Sequence, residues 1–343
     1  MKKIAILVFF TVGFFVHVWA CTGLIAGKQA TVDGSVLVTY SADSHTLYGA
    51  LTSSPAADWP KGSMRSIVEW DTNKPLGEIE QVEHTYAVMG NMNEHQLTVV
   101  ESTWGGRPEL VDTTGIIDYG SLMQLALERA KTAREAIKVM TGLVKKYGYY
   151  SSGESFTIAD PNEAWILDLI GKGPGRRGAV WVAVRIPDDC IAGHANYPRI
   201  HKIPMDDKEN CLYSPDVISF AREMGYFDGL NKDFSFARAY SPADFGALRA
   251  CDARVWSFFR KYDSTMDNYL PYVNGESAEP FPLYVKPSRK LSVQDMKEAM
   301  RDHFEDTPFD MTQDVGAGPF KVPYRFRPMS FEVCLLYTSD AAD

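Results

Sequence analysis

The sequence predicts an α+β fold in which two sheets pack face to face and helices flank them. Three observations carry this. Short runs of alternating or β-branched residues, bounded by turn residues, occupy the chain from Thr22 to Trp104 and return from Ser155 to Ile186. A stretch with helical spacing, Asp118 to Tyr147, lies between them. Hydrophobic residues make up 45% of the chain, enough for a substantial core without covalent staples. Strands, then helices, then strands again suit a sheet-on-sheet core with helices outside.

Length and charge bound the function. The 343 residues make one large domain or two ordinary ones. A net charge of −9 with no basic block excludes nucleic acid as a partner. No apolar run after the first twenty residues is long enough to span a bilayer. The five cysteines are Cys21, Cys190, Cys211, Cys251 and Cys334. Export would permit a Cys190–Cys211 disulfide, but spacing does not establish one, and buried free thiols are the favoured reading. There is no CxxC or HExxH, and the seven histidines show no ligand spacing, so no metal or organic cofactor is expected.

The element around which the rest is organised is the boundary at Ala20–Cys21. Two lysines precede an apolar run from Ile4 to Val18, the layout of a secretory signal peptide over residues 1–20. Val18 and Ala20 supply the −3 and −1 residues that a signal peptidase accepts. Cutting there makes Cys21 the N-terminus, with a thiol and a free α-amine on one residue. A free thiol has a pKa of about 8.5 and an α-amine one of roughly 7.7–8.0, so the amine can take the thiol proton. Cys21 is therefore a candidate nucleophile with its own base. Two other readings stand beside it. One is a small hydrophobe in the first strand. The other is the lipidated cysteine of a surface lipoprotein, against which bulky Trp19 argues.

The elements follow in order. Thr22–Ala26 reads as a strand and Ser35–Tyr40 as its partner, with Asp33-Gly34 as a tight-turn signal between them. This hairpin returns Tyr40 to Asp43 to the thiol, where Asp43 could orient the nucleophile or accept from its ammonium. A loop-rich stretch holds one strand, Ser66 to Asp71. Tyr86 to Trp104 reads as strand, turn and strand, the turn at Asn91 to His95. Ser121 caps a helix reaching about Ala130. Thr132 and Glu135 box the start of a second, with Ile137, Met140, Val144 and Tyr147 on one face. Ser155 to Ala159 and Trp165 to Leu169 flank a turn at Asp160 to Asn162. The glycine-rich loop 171–178 lacks Walker spacing, and Ala179 to Ile186 is another strand. Helices follow at Ser214 to Met224, over most of Ser241 to Tyr262, and after the Ser292/Asp295 cap, where Met296, Met300 and Phe304 lie on the buried side.

The run Cys21 to Lys28, the Asp33-Gly34-Ser35 turn and Ala42-Asp43-Ser44 together resemble the opening of the dipeptidase-type N-terminal nucleophile (Ntn) hydrolases, relatives of bile-salt hydrolase and penicillin V acylase. The resemblance runs from Cys21 to about Val333 and implies a four-layer αββα sandwich. It implies Cys21 as nucleophile and Asp43 as its supporting aspartate. Where the family usually has an arginine three residues before that aspartate, this chain has Tyr40, which hydrogen-bonds but supplies no fixed charge. Met92-Asn93-Glu94 resembles the family's hairpin. A count along it puts Thr103 where the acylase relatives carry an oxyanion-donating Asn, with Glu101 and Ser102 beside it. Gly105 to Arg107 follows as a loop that would line the pocket. Asn196 matches the Asn that completes the oxyanion hole. Arg254, ahead of Val255-Trp256, matches an arginine near the site, with Arg249 as the fallback. His194 reads as structural, since the amine makes a second base unnecessary.

The expectation is an exported cysteine dipeptidase, periplasmic or extracellular, acting through a thioester. Its catalytic residues would be Cys21, Asp43, Asn196 and Arg254, and its substrate contacts Tyr40 and Thr103. A small peptide is the expected partner, and a homo-oligomer is left open. The alternatives are an acylase on N-acyl amino acids or bile-salt-like amides, a scaffold made inactive by Tyr40 or truncation, and a non-catalytic lipoprotein. The domain is expected over 21–333, incomplete at its C-terminus, with 334–343 a doubtful tail that departs from the preceding pattern.

Overall fold

The computed structural model describes residues 21–43, 49–313 and 317–323. The expected leader 1–20, Ser44 of the opening motif, and the tail 334–343 with Cys334 lie outside the described residues. Among the described residues, no helix is long and apolar enough to cross a membrane.

Two antiparallel sheets form the frame of an α+β fold. The smaller runs in the order Tyr284–Val285, Ile191–His194, Thr22–Ala26, Leu37–Ser41. The larger runs Cys211–Tyr213, Ala179–Ile186, Ala164–Gly171, Gly153–Ala159, Thr98–Gly105, then the short Met92–Asn93, Val88–Met89 and Ser53–Ser54. The strand Ala164–Gly171 is buried throughout, and the period-two alternation of a strand sorts its residues. Trp165, Leu167 and Leu169 pack with Leu122, Ala126, Ile137 and Met140 of the helices Tyr119–Arg129 and Ala133–Tyr147. Ile166 and Ile170 pack on the opposite side with Ile25 and Ala192 of the smaller sheet. The far face of that sheet, through Leu24 and Ile191, packs with Val255, Trp256 and Phe259 of the helix Ala253–Arg260.

Local details depart from the sequence reading for identifiable reasons. The first hairpin pairs Thr22 with Ser41 and Ala26 with Leu37, so its connection is the ten-residue stretch 27–36 and not a tight turn. That loop is held out by backbone bonds between Ala30, Val32 and Leu291, while Asp33 turns back on the Ser35 amide and hydroxyl. The strand expected at Ser66 to Asp71 is Met64–Val68. The cap of the first helix is Asp118, whose carboxylate accepts from the Ser121 amide; Ser121 itself bonds to Val68 O. Thr132 caps the second helix as expected, but Glu135 reaches back to the Lys131 amide. The Ser292/Asp295 box is complete. Its helix ends at Ala299, which leaves Phe304 in the following turn. Cys190 and Cys211 are buried free thiols. Asn93 is buried and donates to Leu127 O and Ala130 O, a structural role.

His194 ties the two sheets together. It is fully buried, with Nδ1 at 2.6 Å from Ser102 Oγ and Nε2 at 2.8 Å from Thr157 Oγ1, both on the larger sheet. It stands opposite Gly23 in register, and a Cβ on Gly23 would lie 2.8 Å from its Nε2. Glycine is therefore required two residues after Cys21. Burial, with Arg254 and Arg199 nearby, lowers the imidazole pKa to about 3, so the ring is neutral and is not a base poised near neutrality. An unfolded chain protonates the same ring near pH 6.5. Between those values the unfolded state binds one proton more, so this group makes stability fall as pH drops below about 6.5, by about 1.4 kcal/mol per unit. His194→Gln should flatten that part of the stability–pH curve in denaturant titrations. A ring signal titrating near 6.5 in NMR of the folded protein would contradict this.

Candidate active site

Cys21 immediately precedes the first strand and is 2% exposed. The Thr22–Ser41 register folds the end of the partner strand over it, and the Asp43 backbone N–H donates to its sulfur. Burial foremost, then the Glu101 carboxylate, pushes the thiol well above its ordinary pKa; the Asp43 amide and the Arg254 guanidinium offset only part of this. In this setting the sulfur holds its proton at neutral pH, and a nucleophilic role demands an acceptor beside it.

Arg254 gathers the pieces on one side. Its Nη1 donates to Cys21 O at 2.8 Å and Thr22 Oγ1 at 2.7 Å, and its Nη2 donates to Asn196 Oδ1 at 2.8 Å. Its Nε bonds back to Ala250 O at 2.8 Å, within a π-helical turn, Ala247–Asp252, that leads into its helix. Asn196 has φ 51°, a left-handed conformation that Asn tolerates better than most residues. Its Nδ2 donates to Thr103 O at 2.5 Å. A buried pair locks the two segments: Arg199, three residues after Asn196, donates to both carboxylate oxygens of Asp252, which also accepts from Tyr272 Oη.

The other side is acidic. Among the described residues the strand Thr98–Gly105 pairs on its outer edge only near its start, where Thr98 stands opposite Met92 and the Val99 amide bonds to Asn91 O, and Tyr40 reaches it beyond that point. Glu101 and Thr103 share a face, and Thr103 stands opposite Glu154. Tyr40 Oη donates to Glu101 Oε1 at 2.5 Å, and Thr103 Oγ1 donates to Glu154 Oε1 at 2.6 Å. Burial raises both carboxyls, and Glu154 is driven further by the charge of Glu101 against it. The two carboxyls are hydrogen-bonded to one another, and such a bond requires a proton on one of them. Asp71, which accepts from Tyr119 Oη at 2.9 Å, adds a third carboxyl to the surroundings.

The structure thus brings Cys21, Asp43, Tyr40, Asn196 and Arg254 together. Thr103 is present, but its hydroxyl proton is directed to Glu154, and its carbonyl is the group that meets Asn196. Arg249 stacks on Phe309 at 3.6 Å. In the loop Gly105 to Arg107 the Arg107 guanidinium lies 3.7 Å over Tyr226, and a Cβ on Gly106 would strike Trp104. Sequence reasoning missed the Glu101–Glu154 pair, although Glu101 stood within the segment it examined.

The comparisons with known proteins agree with one another. The family model for Peptidase family C69 matches residues 20–334. A "Probable dipeptidase" of Salmonella dublin is 28% identical over 318 residues, covering 85% of this chain and 68% of the relative. A "Probable dipeptidase" of Latilactobacillus sakei is 25% identical, covering 85% and 62%, and "Dipeptidase A" of Lactobacillus helveticus is 25% identical, covering 89% and 66%. The chain spans about two thirds of the length of these relatives. With nearly its whole described length inside the family model, the chain belongs to peptidase family C69.

Proposed function

We propose that this chain is an exported cysteine dipeptidase that acts through Cys21 as an N-terminal nucleophile, on a four-layer αββα frame of the Ntn type. The observation that carries the reading is the setting of the Cys21 sulfur, buried with the Asp43 amide on it and Arg254 on its own carbonyl. The three separate apolar layers support the frame, and the dipeptidase names of the relatives support the substrate. Burial of the sulfur also weighs against a diacylglyceryl thioether at Cys21, which would need a path to lipid.

The mechanism proceeds in balanced steps. Removal of residues 1–20 frees the Cys21 α-amine, which takes the thiol proton. The sulfur attacks the scissile carbonyl carbon, and the C=O electron pair moves to oxygen. The second N–H of Asn196 Nδ2 serves that oxyanion, its amide held in orientation by Arg254 at Oδ1. Asp43 supports the ammonium so formed. The ammonium gives its proton to the leaving amine as the C–N bond breaks, leaving a thioester. Water, deprotonated by the same amine, then releases the acid and restores the thiol.

A protein beginning at Cys21 should hydrolyse members of a dipeptide panel, and Cys21→Ala should lose kcat by on the order of 10⁴-fold or more, with Cys21→Ser retaining a trace. Equal hydrolysis by wild type and Cys21→Ala would remove Cys21 from the chemistry. Arg254→Met should lower kcat by about 10²–10³-fold with little change in KM, because it releases the oxyanion donor and not the substrate. A change confined to KM would assign Arg254 to ground-state binding instead.

A further inference from the structure

The Glu101–Glu154 pair is a feature that the mechanism above leaves unused. Both side chains are almost wholly buried, 2% and 0% exposed. One oxygen of each is fixed by a hydroxyl, from Tyr40 and Thr103. The remaining oxygens, Glu101 Oε2 and Glu154 Oε2, are buried and meet no fixed donor; what lies against the two carboxyls there is each other and, at Glu101, the Cys21 thiol. The groups that chiefly govern their protonation are one another, Tyr40, Thr103, Cys21 and Asp71, and none is a cation. A buried carboxyl pair that carries charge with no cation against it is costly, so such a pair suits a cationic donor that arrives with the ligand.

Position identifies that donor. The Cys21 thiol lies within hydrogen-bond reach of the Glu101 carboxyl. In an amino-terminal residue, bonds of about 1.46 and 1.52 Å put the α-nitrogen about 2.5 Å from its carbonyl carbon. A sulfur poised about 3–3.5 Å from that carbon therefore has the α-nitrogen close beside it, where Glu101 stands. Two carboxyls sharing one proton carry one negative charge, which matches one ammonium. Tyr40, a phenol, braces the pair without adding a positive charge to it. No group of three side chains suited to holding a metal occurs among the described residues.

Resting on the dipeptidase reading, we infer that Glu101 and Glu154, braced by Tyr40 and Thr103, bind the free α-ammonium of the substrate's first residue and so select unblocked dipeptides over N-acylated amides. The test compares kcat/KM for a dipeptide and for its N-acetyl derivative. Wild type should favour the free dipeptide. Glu101→Gln and Glu154→Gln should each cut that preference by about tenfold or more, through KM for the free dipeptide, beyond any change in kcat that both substrates share. The two glutamine variants are read separately, so either serves if the other fails to fold. Parallel losses on both substrates would overturn the inference, since a structural brace, or a clamp on the amine of Cys21 itself, affects both equally. Wild type that hydrolyses both equally well would overturn it too, with the Cys21 reading intact. Hydrolysis that persists in Cys21→Ala would remove that reading, and this inference with it.

Discussion

Burying a thiol beside a carboxylate makes its anion expensive, and the surroundings of Cys21 are arranged around that cost. Burial and Glu101 hold the proton on sulfur, while one backbone amide and one guanidinium pull the other way. Neither of the latter accepts a proton. The imidazole of His194, opposite Gly23, is clamped between two hydroxyls and kept neutral by burial. In the proposed mechanism an N-terminal amine on the same residue as the sulfur resolves the difficulty without another side chain.

The fold makes room for this at one place. The strand Thr98–Gly105 lies inside the larger sheet along one edge and is unpaired along most of the other. There the smaller sheet approaches, so Tyr40 crosses to Glu101 and Asn196 caps the Thr103 carbonyl. Arg254 reaches the same spot from the opposite side of the smaller sheet, aimed by a π-helical turn that is itself fastened by the Arg199–Asp252 pair. The open edge is thus closed by side chains instead of a strand, which guards it against pairing with other chains and leaves a chemically varied rim around the sulfur.

Much of this was legible in the sequence because local chemistry marks it. The Thr22–Ala26 strand and the Thr132 cap are written in adjacent residues. So is the pairing that returns Tyr40 to the thiol, although the connecting loop is longer than the Asp33-Gly34 signal implied. Asp43, Asn196 and Arg254 stood out through resemblance to a family, since a lone Asn or Arg in a loop or helix carries no signal of its own. The carboxyl pair was not legible. Glu101 and Glu154 belong to different strands, and only the register of Thr103 against Glu154 brings them together. In isolation each reads as a solvated strand residue. The Asp118 cap was missed because Ser121 is an equally good capping residue three positions on, and only the tertiary contact to Val68 takes it away.

The account stands on the amine of Cys21 acting as the base for its own sulfur. The most direct measurement is the alkylation rate of Cys21 by iodoacetamide at pH 7, followed by mass spectrometry at that residue. A chain beginning at Cys21 is compared with one carrying a single extra residue ahead of it. The account predicts that the free N-terminus reacts about tenfold faster or more, because it places an amine, whose pKa is close to that of a thiol, on the same residue as the sulfur. Equal rates in the two proteins would contradict it.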